Sequence, residues 1–165
     1  MPASTKTPLG ADTLVRKYYV DVNTGSAETP TWTAVNGFTE QKLLQAPTTQ
    51  DATDFDGEGW ANETVTGLGW GIEGKVRRGV TRADVTAYDP GQEVLRLAAG
   101  ETGVGNEVEI RVYEMTPGGP REEAYQGYVG VTWEPDGGNG TATDTVSVKL
   151  TGHGKRDSIV HPDAA

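Results

Sequence analysis

The chain contains no cysteine. Disulfide scaffolds, Cys-ligated zinc, iron–sulfur clusters and thiol catalysis are therefore excluded. Histidine is almost as scarce: the two present, His153 and His161, stand near the C-terminal end. Neither a Gly-x-Ser-x-Gly elbow nor a His-Glu-x-x-His pair occurs. Nucleophilic catalysis needs a base within reach of the nucleophile, and this chain is poor in bases, so an enzyme is not expected. No run approaches the roughly 18 apolar residues of a membrane helix. Residues 1–12 offer no apolar h-region, so no secretory signal is expected.

Positive charge is also in short supply. Fourteen Lys and Arg stand against 24 Asp and Glu, for a net charge of −10. Nucleic-acid affinity rests on Lys and Arg neutralising phosphates, and docking on anionic lipid needs the same charges. The imbalance is concentrated between Glu101 and Asp144, where nine acids face only Arg111 and Arg121. Such a surface serves solubility, or forms a wall that a polyanion does not stick to.

What remains is a chain that can build a core. Hydrophobic residues make up 35%, and there are 23 glycines and 9 prolines. Turn pairs such as Asn36-Gly37, Asp56-Gly57 and Asp136-Gly137 separate short alternating runs, a pattern that predicts an antiparallel all-β domain. Leu14, Tyr18, Val20 and Val22 share one face of a first strand, with Lys17 and Asp21 opposite. Trp32 and Val35 mark a second strand within 31–36. A long third strand is expected over 64–78, with Leu68, Trp70, Ile72 and Val76 inward and Gly67, Gly69, Gly71 and Glu73 outward. Val108, Ile110 and Val112 face a core while Glu107, Glu109 and Arg111 face away. Tyr125, Val129, Val131 and Trp133 define the next strand, and Val146, Val148 and Leu150 the last.

One short helix is predicted over 89–99. Asp89 is its N-cap, Pro90 its first residue, and Gln92 is placed to close a capping box. Val94, Leu95, Leu97 and Ala98 form its apolar stripe, and Gly100 is a fitting stop.

The stretch 38–62 reads differently. It is acidic, holding Glu40, Asp51, Asp54, Asp56 and Glu58 against Lys42, yet it contains Phe38, Leu43, Leu44, Phe55 and Trp60. Long loops in compact domains are usually functional or disordered, and a disordered linker rarely holds so many large apolar groups. It is expected to be an extended arm that orders against something; a hairpin folded back on its own domain is the alternative. The pair Asp54 and Asp56 could in principle serve acid–base hydrolysis or, with Glu63, fill part of an EF-hand-like loop beginning at Ala52. Ala52 stands where that loop needs Asp, so no metal site is expected. The alternating glycines Gly67, Gly69 and Gly71 strip side chains from one strand face. They suit either a tight bend within one chain or a close approach between subunits.

The order of these features resembles a known family. Arg16-Lys17-Tyr18-Tyr19-Val20-Asp21-Val22 followed by Trp32-Thr33-Ala34-Val35-Asn36-Gly37 is similar to the opening of siphophage major tail proteins. The arm from Asp51 to Trp60, the helix cap Tyr88-Asp89-Pro90-Gly91-Gln92-Glu93, Trp133-Glu134-Pro135-Asp136-Gly137-Gly138 and Asp144–Gly152 look like the matching stretches in phages of actinobacteria. The resemblance spans about residues 12–156 and implies the tail tube fold shared with lambda-like tail tubes and Hcp. This is a β-sandwich or barrel with a flanking helix. It implies a structural virion protein without cofactor, made in the host cytoplasm. Six copies form a ring, and stacked rings form a tube through which DNA passes without specific binding. Its other partners would be the tape measure protein, the tail terminator and distal tail or baseplate proteins.

On this reading residues 1–12 and 153–165 are terminal arms around a domain over 13–152. The loop 38–62 contacts the adjacent ring through Phe38, Leu43, Leu44, Asp54, Phe55, Asp56 and Trp60. Glu73, Glu107 and Glu109 are candidates to face the lumen, and Gly67, Gly69 and Gly71 to meet a neighbouring subunit. Alternatives are a head–tail connector or decoration protein, a carboxylate-dependent hydrolase, or a carbohydrate- or Ca²⁺-binding adhesin module using Tyr19, Trp60 and Tyr128 as a platform.

Overall fold

The structure is a computed structural model that describes residues 4–5, 7–12, 18–115 and 120–164. The strands are β1 (Tyr18–Asn23), β2 (Trp32–Ala34), β3 (Phe38–Gln45), β4 (Thr48–Asp51), β5 (Glu63–Gly67), β6 (Trp70–Arg77), β7 (Glu107–Glu114), β8 (Ala124–Pro135) and β9 (Thr145–Ser158). The helix α1 spans Pro90–Ala99 between β6 and β7. Seven strands form one antiparallel sheet in the order β2-β1-β7-β8-β9-β6-β3, and β4 and β5 form a separate two-stranded ribbon. The fold is all-β with one flanking helix, as the alternation predicts. Leu14 and Lys17 lie outside the described residues.

The sheet curls until its ends approach one another. β2 covers β1 only from Asp21 to Asn23. The rest of the β1 edge is met by other groups: Val35 N–H donates to the Val20 carbonyl at 2.9 Å, and the Gln41 side chain on β3 bonds the backbone of Tyr18. These bonds occupy part of the β1 edge, while β2 and β3 remain the edge strands of the sheet. Inside it, Val20, Val22, Ile72, Val76, Ile110, Val112, Val129, Val146, Val148 and Leu150 form one continuous buried cluster. The period-2 alternation is complete along β7, where every second side chain is buried.

Helix α1 seals this core by inserting Leu95, which is fully buried, and Ala98. Asp89 caps it, its Oδ2 accepting from the Gln92 N–H at 3.0 Å. Gln92 does not return a bond to the cap as a capping box would. Its Nε2 donates instead to the carbonyls of Asn36 (2.6 Å) and Arg77 (3.0 Å), tying the helix to the β2–β3 junction and the end of β6. Leu97, expected in the apolar stripe, is exposed: the buried face is Gly91, Gln92, Leu95 and Ala98, and Leu97 lies off it. At the other end, Asn106 Nδ2 donates to the carbonyls of Ala98 and Val131, both at 3.0 Å, and its Oδ1 accepts from the Val131 N–H. This one amide fastens the helix C-terminus to β8.

Two strand expectations are corrected. The long strand over 64–78 is two strands, β5 and β6, parted at Leu68 and Gly69. Leu68 is 87% exposed and not part of the core. The pairing itself does not stop there: Gln45 with Trp70, Ala46 with Gly69 (bonded in both directions at 2.9 and 3.0 Å) and Thr48 with Gly67 keep one register, so the two-stranded ribbon continues the β3–β6 hairpin beyond the barrel. The last strand also runs further than expected. β9 continues through residues 153–158, so that half of the expected C-terminal arm is part of the barrel wall. Beyond it the chain folds back: His161 is buried, its Nε2 lies 2.8 Å from the Glu114 carbonyl, and its ring meets Tyr113 edge-on.

Candidate functional site

Two surfaces stand out once the core is assigned: the projecting ribbon and the face of the sheet turned away from the core. The expected loop 38–62 is divided between barrel and ribbon. Phe38, Leu43 and Leu44 lie on β3, paired in register with Val76, Ile72 and Gly71 of β6. Phe38 and Leu43 share the face of the buried Val76 and Ile72, so they close the barrel. The sequence signal was weak there because β3 is an edge strand with only partly buried positions.

The projecting arm is therefore residues 46–69. Asp51 and Glu63 are the last register pair of the ribbon. Beyond them the tip is built from local bonds: Ala52 N–H to the Asn62 carbonyl (2.7 Å), Asn62 N–H to Thr53 Oγ1 (3.0 Å) and Thr53 N–H to Asp51 Oδ1 (2.8 Å). The two Thr53 bonds to the carboxylate hold the Asp51 pKa below its ordinary value. A 3₁₀ turn over Phe55–Gly57 and positive φ at Glu58 and Gly59 reverse the chain. This defined tip presents Phe55 entirely to solvent and Trp60 at 79% exposure. Asp54, Asp56 and Glu63 do not gather into a ligand set, and among the described residues no three acidic or imidazole groups converge as a metal site would require.

Each glycine of the run 67–71 has a close neighbour in its own chain. A Cβ on Gly67 would touch Thr48, one on Gly69 would meet the Ala46 carbonyl, and one on Gly71 would meet the Leu150 carbonyl. Close backbone contact within the chain accounts for Gly69 and Gly71, whereas a Cβ at Gly67 would make only ordinary contact with Thr48.

Glu73, Glu107 and Glu109 all lie on the face opposite the core, and all are half-buried. Their electrostatic settings differ. Glu73 stands in register between Lys42 of β3 and Lys149 of β9. The next row carries Glu40, Lys75 and Glu134, with Lys75 Nζ 3.5 Å from Asp136. Opposite charges on neighbouring strands offset one another here. Glu107 and Glu109 have no such partners. Glu109 accepts from Asn23 Nδ2 (2.7 Å) and Gln126 Nε2 (2.8 Å), and Glu107 lies 3.3 Å from the exposed His153 ring. Together with Glu101 they border one open groove between α1 and β7. The acid excess read along the chain is thus concentrated at β7 and diluted at β6.

Two buried acids, Asp21 and Glu114, escaped the sequence reading. Asp21 is 4% exposed although it faces away from the core. Arg111 Nε reaches its Oδ2 at 2.7 Å and the Tyr113 hydroxyl donates to the same oxygen at 3.1 Å. Burial and the Asp21 charge push the Tyr113 phenol up to about 12, so it remains a donor at neutral pH. The Arg111 guanidinium also lies over Trp32, 4.8 Å from the ring centroid. The signal was the charge pairing of Asp21 and Arg111, visible only once β1 and β7 are known to be neighbours. Of the aromatics expected as an adhesin platform, Tyr19 leans on Tyr113 with 5.5 Å between centroids, Trp60 lies on the arm and Tyr128 on β8. They sit on three separate elements.

No family model matches the chain, and no curated protein matches it. Solved structures do. A chain of the virion of the native gene transfer agent particle superposes with a TM-score of 0.63 at 12% identity, covering 90% of this chain and 100% of that one. The tail of the empty gene transfer agent particle, refined with C6 symmetry, matches with a TM-score of 0.61 at 14% identity over 91% and 100% of the two chains. The SPP1 tail tube matches at 0.62 and 10% identity over 90% and 81%. The fold is that of tail tube subunits.

Proposed function

We propose that this chain is the major tube subunit of a non-contractile phage tail, a structural and non-enzymatic virion protein. Six copies form a ring, rings stack head to tail, and the sheet face opposite the core lines a bore for viral DNA. One observation carries this reading. The barrel is complete in itself, yet it projects an ordered ribbon whose tip exposes Phe55 and Trp60 to solvent. A pair of large aromatics at the end of a built arm needs a partner surface to bury them. The C6 symmetry of one structural neighbour supports the same arrangement.

The bore is expected to be acidic along β7, with Glu107 and Glu109 repelling phosphate and Glu73 in a charge-balanced row beside them. An acidic wall lets a polyanion slide, because the contacts that hold DNA in place come from Lys and Arg. A head-to-tail contact between different patches closes into a ring by rotation and extends into a tube by translation. The tape measure protein inside the tube and the terminator and distal tail proteins at its ends complete the set of partners. Electron microscopy of concentrated protein, with an initiating tail-tip complex added, tests the reading. Hollow tubes of hexameric rings are expected; discrete rings without tubes would point to a connector instead.

A further inference from the structure

The acidic arm has a complementary surface on its own chain at the far end of β6, and the geometry points to that surface as the seat of the arm of a second copy. This inference rests on the arm being an assembly element, as proposed above. The arm leaves the barrel at Ala46 and Gly69, where β6 begins. β6 then runs its 8 residues to Arg77, about 25 Å of extended chain, and leads into loop 78–89. The arm and this loop are therefore at opposite ends of one strand. They cannot meet within a single chain, but they meet whenever one copy is placed beyond the end of another.

Charge and apolar surface match across that contact. Residues 46–69 contain Asp51, Asp54, Asp56, Glu58 and Glu63 and no Lys or Arg. At the other end Arg77 and Arg82 are exposed, and neither forms an ion pair with a described residue. Beside them Val80, Val85 and Tyr88 are 52%, 74% and 47% exposed, apolar counterparts for Phe55 and Trp60. Acids stand nearby as well: Asp84 is hydrogen-bonded to Thr86, Asp89 to Asn36 and Gln92, Asp136 pairs with Lys75, and exposed Asp144 lies beside Arg78, whose N–H donates to its carbonyl, so the attraction offered to the arm is local to the Arg77 and Arg82 guanidinium groups rather than spread over the whole surface.

The loop is also preordered. Val80 and Tyr88 form a backbone bridge, Thr81 N–H donates to the Ala87 carbonyl at 2.9 Å, and Thr81 and Asp84 exchange side-chain and backbone bonds. The guanidinium of Arg78 lies 3.8 Å from the Tyr88 ring centroid and 2.8 Å from Glu93, anchoring the loop to α1. A surface fixed in this way loses little entropy when it is covered.

The test is charge reversal in the full-length chain, read by tube yield in sedimentation and electron microscopy. Arg77→Glu with Arg82→Glu places like charges across the contact and is expected to lower tube yield roughly tenfold or more, with the melting temperature of the free subunit unchanged. Adding Asp54→Lys and Asp56→Lys to the same chain is expected to restore tubes. A second measurement uses the absence of native cysteine: Trp60→Cys with Val85→Cys, oxidised after assembly, is expected to give a ladder of linked chains, and either single variant is not. If the arginine variant assembles normally while a chain lacking the arm tip does not, the seat is elsewhere and the arm reading survives. If the chain lacking the tip also assembles, the arm reading itself falls. Lost assembly without rescue by the lysines, together with no ladder, overturns the pairing of arm with loop.

Discussion

The side-chain amide of Gln41 stands in for a strand. Its Nε2 donates to the Tyr18 carbonyl at 2.9 Å and its Oε1 accepts from the Tyr18 N–H at 3.3 Å. These two bonds join β3 to β1, which no backbone ladder connects. Gln41→Leu keeps the bulk but leaves both backbone groups of Tyr18 without this partner. A loss of about 1–3 kcal/mol is expected, with faster amide hydrogen exchange at Tyr18 than at Val22. Unchanged exchange at Tyr18 would show that the seam is held by other contacts.

Trp70 is enclosed by glycine on two strands. A Cβ at Gly152 would collide with the indole nitrogen edge, and one at Gly127 with the six-membered ring. The indole N–H donates to the Gly154 carbonyl at 3.1 Å. Gly152→Ala forces the ring to move and is expected to cost about 1–3 kcal/mol, seen as a lower denaturant midpoint and a shifted Trp fluorescence maximum. Thr151→Ala, exposed and one residue away, is expected to leave both unchanged.

Acid weakens the anchor of loop 78–89 in a predictable direction. Glu93 binds Arg96 and Arg78, both at 2.8 Å, and the Arg96 hydrogen bond is the main reason its pKa lies below the ordinary carboxylate value. A carboxylate lowered on folding contributes stability above its unfolded pKa, near ~4.3, and loses that contribution as pH falls through the folded value. The melting temperatures of the native chain and Glu93→Gln should therefore differ most at neutral pH and converge below about pH 4. A gap that stays constant down to pH 3 would mean that the carboxylate charge is not what matters.

The arm tip can be removed without disturbing the ribbon. Asp51 and Glu63 are register partners, so replacing residues 52–62 with Asn-Gly leaves a hairpin that a two-residue turn can close. This chain is expected to keep the melting temperature of the parent and to form no tubes. Tubes of normal length would show that Phe55 and Trp60 play no part in assembly.

The acids of β7 are assigned a different task from those of the arm. Glu107→Lys with Glu109→Lys is expected to permit tube assembly and to slow DNA release from particles, because lysines in the bore would hold phosphates. Glu73→Lys would set a third lysine between Lys42 and Lys149 and is expected to slow release as well, whereas Glu73→Gln is expected to have a smaller effect. Equal ejection rates in all three chains would place these side chains away from the DNA path.

Much of this was legible in the sequence because burial alternates cleanly where both neighbours of a strand are present. β7 and the first half of β9 could be read residue by residue, and the cap at Asp89 with Pro90 located the helix. Edge positions were harder. β3 carries Glu40 and Lys42 beside Phe38 and Leu43, so it read as loop, although pairing with β6 makes it a wall of the barrel. The alternation from Val65 to Val76 ran on without a signal because the register of β3 with β6 continues through Ala46 and Gly69 into the ribbon, and only its departure from the barrel exposes Leu68. Gln41 and Asn106 gave no signal and Gln92 was read only as a capping-box residue: their amides bond groups 23, 25 and 56 residues away, and single-strand periodicity says nothing about such distances.

The most direct measurement is a cryo-electron microscopy map of the assembled particle at side-chain resolution. The account predicts this chain in sixfold rings around a bore, with Glu107 and Glu109 of β7 facing the DNA and Phe55 and Trp60 buried against the next ring. A map with the chain on the capsid exterior or at a single connector ring, or with β7 turned to the outside of the tube, would contradict it.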